Sequence, residues 1–242
     1  FEARPDRLGT RLPLNFSLVL DRSGSMSGPK IKQLRDAVRA MIGRLEPADI
    51  ISMVAFNAHA EVLIPATPAQ DKDGLAVRVG RLEAGGGTSM APAMRAGLAE
   101  VVRHQSPANA SRLVVLTDGQ TTGEEECRNE ADRAAAAGVP LIALGLGTDW
   151  NEDLLLDLAQ RTGKLGDAWL IKRPEDVGPI FEQVLSQMAV VAQDVAIEVK
   201  LAQGVEARRV WPVSPQLMDV TALGVHERTV TVHLPELAEG GT

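Results

Sequence analysis

The stretch that most constrains this chain is residues 15–26, NFSLVLDRSGSM. Phe16, Leu18, Val19 and Leu20 make a near-continuous apolar run that stops at an aspartate and a Gly/Ser turn. That pattern belongs to a short strand covered on both faces of a parallel sheet. Asp21 then falls at the strand's carboxyl end, the edge where open α/β sheets bind their ligands. Asp21, Ser23 and Ser25 alternate along the turn, so that their oxygens can converge. One carboxylate and two hydroxyls form a hard-oxygen set suited to Mg²⁺ or Mn²⁺ rather than to a soft metal.

The rest of the chain repeats the strand-then-helix pattern. Helices are predicted over 29–45, 75–82, 90–104, 124–137, 152–162 and 176–190, and strands over 49–56, 61–64, 112–117, 140–146 and 168–171. In the first helix Ile31, Leu34, Val38, Met41, Ile42 and Leu45 recur at spacings of three and four, which places them on one face. This alternation implies an α/β fold, a doubly wound and mostly parallel sheet with helices on both faces, over residues 15–190. Beyond residue 191 the helical periodicity stops. Alternating segments over 194–201, 205–210 and 229–234 imply a small C-terminal all-β region, an incomplete sandwich over 191–242. The N-terminal segment 1–14 is a candidate partner for that region.

Charge and cysteine content exclude several classes. A net charge of -7 with no basic cluster longer than Arg208-Arg209 argues against a nucleic-acid surface. Cys127 is the one cysteine, so neither an intrachain disulfide nor a thiolate zinc site can form, which fits a reducing cytoplasm. No apolar run is long enough for a transmembrane segment. The chain opens at Phe1 rather than Met, which suggests a fragment or processed form, so that a cytoplasmic location is the expectation and an extracytoplasmic one, addressed by upstream residues, the alternative. The arginine-rich, alanine-rich composition suggests a high-GC bacterial source.

Asp21-Arg22-Ser23-Gly24-Ser25 resembles the D-x-S-G-S signature of the von Willebrand factor A domain, whose metal-ion-dependent adhesion site adds a threonine and an aspartate from two later loops. Gly85-Gly86-Gly87-Thr88 resembles the threonine loop, and Thr117-Asp118-Gly119 follows an apolar strand as the aspartate loop does. The resemblance implies a metal site made of Asp21, Ser23, Ser25, Thr88 and Asp118. It implies that Ser23 and Ser25 bind the metal directly, that Asp21 and Asp118 act largely through coordinated water, and that Thr88 alternates between the two modes. A divalent ion held by neutral hydroxyls stays electrophilic and keeps an exchangeable water, which a partner's Asp or Glu can displace. Mg²⁺ is the expected ion, with Mn²⁺ or Ca²⁺ as alternatives, and the expected partner is a protein bearing an exposed acidic residue.

Two other function classes share these features. A metal-dependent hydrolase or phosphotransferase needs a phosphate loop, a nucleophile elbow or a dinucleotide turn, and the sequence has none of them, so the expectation is a binding module and not an enzyme. An assembly subunit for an AAA ATPase, as such domains are in magnesium chelatase and MoxR-type systems, uses the same carboxylate chemistry as adhesion. The flanking β-rich sequence further resembles bacterial members and the inter-alpha-trypsin inhibitor heavy chains. His59, His104, His226 and His233 lack metal spacing, and Trp150, Trp169 and Trp211 read as packing residues, with Trp150 near the ligand rim. Asn57 and Gln120 are secondary candidates on the same edge. The last helix runs directly into the β-region, so that a ligand at the metal can shift that region if it distinguishes two arrangements.

Overall fold

A computed structural model describes residues 11–148, 150–163, 165–200, 225–226 and 229–238. The chain separates into two compact units, one of which is Pro13–Ala189. In this unit the strands β1 (Leu14–Asp21), β2 (Ile50–Phe56), β3 (Ala60–Pro68), β4 (Ala110–Thr117), β5 (Leu141–Leu146) and β6 (Asp167–Ile171) form one sheet in the order β3-β2-β1-β4-β5-β6. Every pairing is parallel except β2 with β3. The expected doubly wound α/β architecture is therefore present.

The helices are α1 (Pro29–Arg44), α2 (Lys72–Val79), α3 (Ala91–Val102), α4 (Glu124–Ala136), α5 (Glu152–Arg161) and α6 (Val177–Met188). Helix α1 packs against α2 and α6, while α3 packs against α4 and α4 against α5, giving one layer on each face. Because side chains alternate along a strand, Val19, Val54, Leu113, Val115, Leu141 and Ala143 point into the α3–α4–α5 layer, where they meet Met94, Leu98, Ala131 and Leu158. Strand β1 lies in the middle and is buried along its whole length. Helix α3 approaches it closely at Gly97, where an added Cβ would lie 2.6 Å from Val19 Cγ2.

Local chemistry sets the boundaries that the sequence pattern placed loosely. Helix α2 begins earlier than its apolar residues suggest, because Asp71 accepts a 2.9 Å capping bond from Gly74 N. Strand β3 runs well beyond the expected 61–64, and its Pro65 and Pro68 are tolerated because the strand is at the sheet edge. The last helix ends at Met188, and Val190 already belongs to the next strand.

The second unit contains an antiparallel sheet in the order β7-β9-β8, formed by β7 (Val190–Lys200), β8 (Val225–His226) and β9 (Thr229–Ala238). The expected strand 229–234 falls within the longer β9, and the described part of the expected strand 194–201, residues 194–200, falls within β7, which begins earlier, at Val190. The expected strand over 205–210, Trp211, and pairing by residues 1–10 lie outside the described residues.

Candidate metal centre

In this sheet order the chain leaves β1 toward β2 on one side and reaches β4 on the other, so the direction of winding reverses between β1 and β4. Loops after these two strands diverge and leave a crevice at their carboxyl ends. Asp21 ends β1 and Asp118 follows β4, which puts both carboxylates at the crevice.

The turn after β1 is short and hydrogen-bonded. Ser23 N donates to Asp21 Oδ1 at 2.7 Å, and a single 3-10 turn over Gly24–Met26 presents Ser25 outward. Ser25 Oγ donates to Asp118 Oδ1 at 2.7 Å. A hydroxyl has one proton, so in the 3.0 Å contact between Ser23 Oγ and Ser25 Oγ the donor is Ser23. The result is a directed chain, Ser23 to Ser25 to Asp118. Asp21, Ser23 and Asp118 are buried, whereas Ser25 is exposed.

Thr88 is brought to the same place by its loop. Gly24 N donates to Gly86 O at 3.0 Å and Gly85 N donates to Arg22 O at 2.8 Å, which ties the Gly85–Thr88 backbone to the Asp21 turn. Gly86 takes a φ of 85°, a left-handed conformation that glycine adopts without steric cost. Asn57 buttresses this loop, donating from Nδ2 to Gly85 O at 2.8 Å. From the other side Thr122 donates to the Thr88 carbonyl through its backbone N–H and its hydroxyl. Thr88 is half-buried, and its hydroxyl does not join the Ser23–Ser25–Asp118 chain.

Two contributors escaped the sequence reading. Thr117, the last residue of β4, donates its hydroxyl to Asp21 Oδ2 at 2.6 Å. Lys30, in the first turn of α1, places Nζ 2.5 Å from Asp118 Oδ2. Thr117 had a visible signal in its place directly before Asp118, but a threonine ending a strand is ordinary. Of the secondary candidates, Trp150 packs its indole over Gly145 and donates from Nε1 to Gly147 O at 3.0 Å, and Gln120 is exposed.

Burial pushes the Asp21 carboxyl above its ordinary range, opposed by the bonds from Thr117 and Ser23 and reinforced by the negative charge of Asp118. Each oxygen of both carboxylates already has a donor. Among the described residues no group of three or more His, Cys, Asp or Glu side chains is placed to hold a metal. A cation here would therefore draw on the lone pairs of Ser23 and Ser25, with two nearby negative charges to offset its own. A buried Asp21 carboxyl whose ionisation the neighbouring Asp118 charge disfavours, with serine hydroxyls close by, fits a hard divalent ion.

Comparison with known proteins places this geometry in a wider group. The profile of the von Willebrand factor type A domain matches residues 15–168. An uncharacterised protein of Synechocystis sp. is 31% identical over 225 residues, covering 90% of this chain and 53% of that protein. Human inter-alpha-trypsin inhibitor heavy chain H4 is 31% identical over 169 residues, 64% of this chain but 18% of that protein. The chain thus spans about half or less of these relatives. Among solved structures, a von Willebrand factor type A protein from Catenulispora acidiphila superposes with a TM-score of 0.71 at 24% identity, covering 94% of this chain and 56% of that one. Proximal thread matrix protein 1 from the mussel byssus, solved with zinc in its MIDAS motif, superposes with a TM-score of 0.65 at 14% identity, covering 79% of this chain and 50% of that one.

Proposed function

The chain belongs to the von Willebrand factor type A domain family, and we propose that its crevice is a divalent-metal receptor for an acidic side chain of a partner protein. The observation that carries this reading is the hydrogen-bonded chain from Ser23 through exposed Ser25 to buried Asp118, with Asp21 beside it. Together with Thr88, whose loop is tied to the Asp21 turn, these are the residues we assign to an adhesion-type site. Family members act typically as metal-dependent protein-interaction modules, and the zinc in the mussel protein's motif supports a divalent ion in the corresponding place.

A bound Mg²⁺ would supply a Lewis-acidic centre that accepts one more oxygen. The residues divide the remaining tasks. Ser23 and Ser25 offer neutral oxygens, while Asp21 and Asp118 hold negative charge close by without occupying every position. Thr117 and Ser23 N fix Asp21, and Asn57 and Thr122 hold the Thr88 loop. Ser25, Gly86 and Gly87 are exposed, so a partner's carboxylate can reach the site from solvent. We read the domain as a binding module and not an enzyme. Service as a subunit of an AAA ATPase would use the same contact, and copurification of the ATPase would identify that role.

Titration calorimetry with Mg²⁺ and Mn²⁺ tests the reading. Binding by the wild-type chain that Ser23→Ala and Asp118→Ala both weaken is expected. A folded wild type that takes up neither ion contradicts it.

A further inference from the structure

We propose that Lys30 is a tethered competitor for the metal: its ammonium holds Asp118 while no divalent ion is bound and releases it when one arrives, so that Lys30 sets the affinity of the site. The inference rests on the receptor reading above and adds a residue outside the proposed ligand set.

The two partners in this pair are unequally free. The Asp118 side chain is 0% exposed and is also held by Ser25, whereas the Lys30 side chain is 27% exposed on a flexible four-carbon stem. The carboxylate is therefore the fixed member and the ammonium the one that can leave. Its aim is built into the fold. Gly28, at a φ of 77°, turns the chain into α1, Pro29 occupies the first turn, and Ile31 and Leu34 anchor the helix in the core. This delivers Lys30 to the crevice, where Nζ lies between Asp118 and the β5–α5 loop, 3.9 Å from where a Cβ at Gly147 would stand.

The competition follows from charge. A buried carboxylate stripped of its counter-charge is costly, so Asp118 gains from Lys30 in the absence of metal. A divalent ion next to Ser25 requires the same negative charge and repels the ammonium beside it. Arg22, the basic residue within the turn, is already engaged 2.7 Å from Glu61 and does not take over the role. With two carboxylates and one ammonium the crevice carries a net negative charge. Entry of a divalent ion would make it net positive while the ammonium stays, and departure of the ammonium removes that excess.

Lys30→Met and Lys30→Arg, titrated with Mn²⁺ alone, test the proposal. Lys30→Met is expected to bind Mn²⁺ about tenfold or more tightly than wild type, because Asp118 then has no resident counter-charge. Its metal-free form should melt at a lower temperature, and Mn²⁺ should raise that temperature by more than in wild type. Lys30→Arg should stay close to wild type. In the wild-type chain, acetylation of Lys30 by an N-hydroxysuccinimide ester, followed by peptide mass spectrometry, should be slow without metal and faster with saturating Mn²⁺. Equal or weaker Mn²⁺ binding by folded Lys30→Met, or an acetylation rate that Mn²⁺ leaves unchanged, would overturn the role of Lys30 while leaving the receptor standing. Absence of Mn²⁺ binding in both wild type and Lys30→Met would remove the receptor reading itself.

Discussion

Thr117 and Asp21 end two neighbouring parallel strands and meet there through a 2.6 Å hydrogen bond from the threonine hydroxyl to Oδ2, both side chains being buried. This contact joins the strands on either side of the crevice and fixes one of the two carboxylates. Thr117→Val keeps the shape and removes the donor, leaving a buried carboxylate oxygen unpaired. The expected cost is about 1–3 kcal/mol, measured as a lower urea midpoint with an unchanged slope, together with weaker Mn²⁺ binding. Unchanged stability and unchanged metal binding would show that Asp21 needs no such anchor.

Gly97 sets how closely α3 lies on β1. An added methyl would stand 2.6 Å from Val19 Cγ2, 2.9 Å from Leu113 Cδ1 and 3.0 Å from Ser17 Oγ. Alanine normally favours a helix over glycine by about 1 kcal/mol, but overpacking of a tight core costs about 1–3 kcal/mol. Gly97→Ala is therefore expected to lower the melting temperature despite its better helix propensity. A rise would mean that α3 can move away from the sheet freely.

The strands and the helices were legible because burial on both faces leaves an apolar run, and a helix on a sheet leaves a three-four spacing. Asp21, Ser23 and Ser25 were legible for a different reason, since a strand end followed by a polar turn is visible locally, whereas Thr88 and Asp118 were assigned through the resemblance to the family motif. Lys30 was not, because its contact with Asp118 depends on the direction in which α1 leaves the turn at Gly28 and on a residue in another strand loop. The same holds for Thr117, whose partner is separated from it by 96 positions. The ends of β3 and α2 were misplaced because edge pairing and the Asp71 cap, rather than apolar content, decide them.

Cys127 is expected to be chemically quiet. It is fully buried, and burial, with the neighbouring charge of Glu126 adding to it, pushes its thiol up to about 11. At pH 8 the native protein should resist alkylation by iodoacetamide and react only on unfolding. Fast alkylation of the folded chain would show that α4 opens locally.

Asp157 gives a pH signature far from the crevice. Burial raises its carboxyl, but hydrogen bonds from Arg128 and Arg161 outweigh that and hold it below its ordinary value. A carboxylate lowered in the folded state adds stability above its unfolded pKa of about 3.9 and loses it as pH falls through the folded value. Because the side chain is 37% exposed, solvent screens the pair, and Asp157→Asn should cost about 0.2–1 kcal/mol near pH 7. Urea unfolding of both proteins should show the difference shrinking between about pH 5 and pH 2. A difference independent of pH would assign the effect to packing.

The central claim is that the crevice holds a divalent ion with a position left open for a carboxylate. Water-proton relaxation of the Mn²⁺-loaded chain reads this directly, because an ion that keeps an exchangeable water enhances relaxation once immobilised on a protein. The account predicts enhancement when the chain is added to Mn²⁺, loss of it in Ser23→Ala and Asp118→Ala, and a fall when acetate or a glutamate-bearing peptide is titrated in. A folded wild-type chain that gives no enhancement, or an enhancement that carboxylates leave untouched, would contradict it.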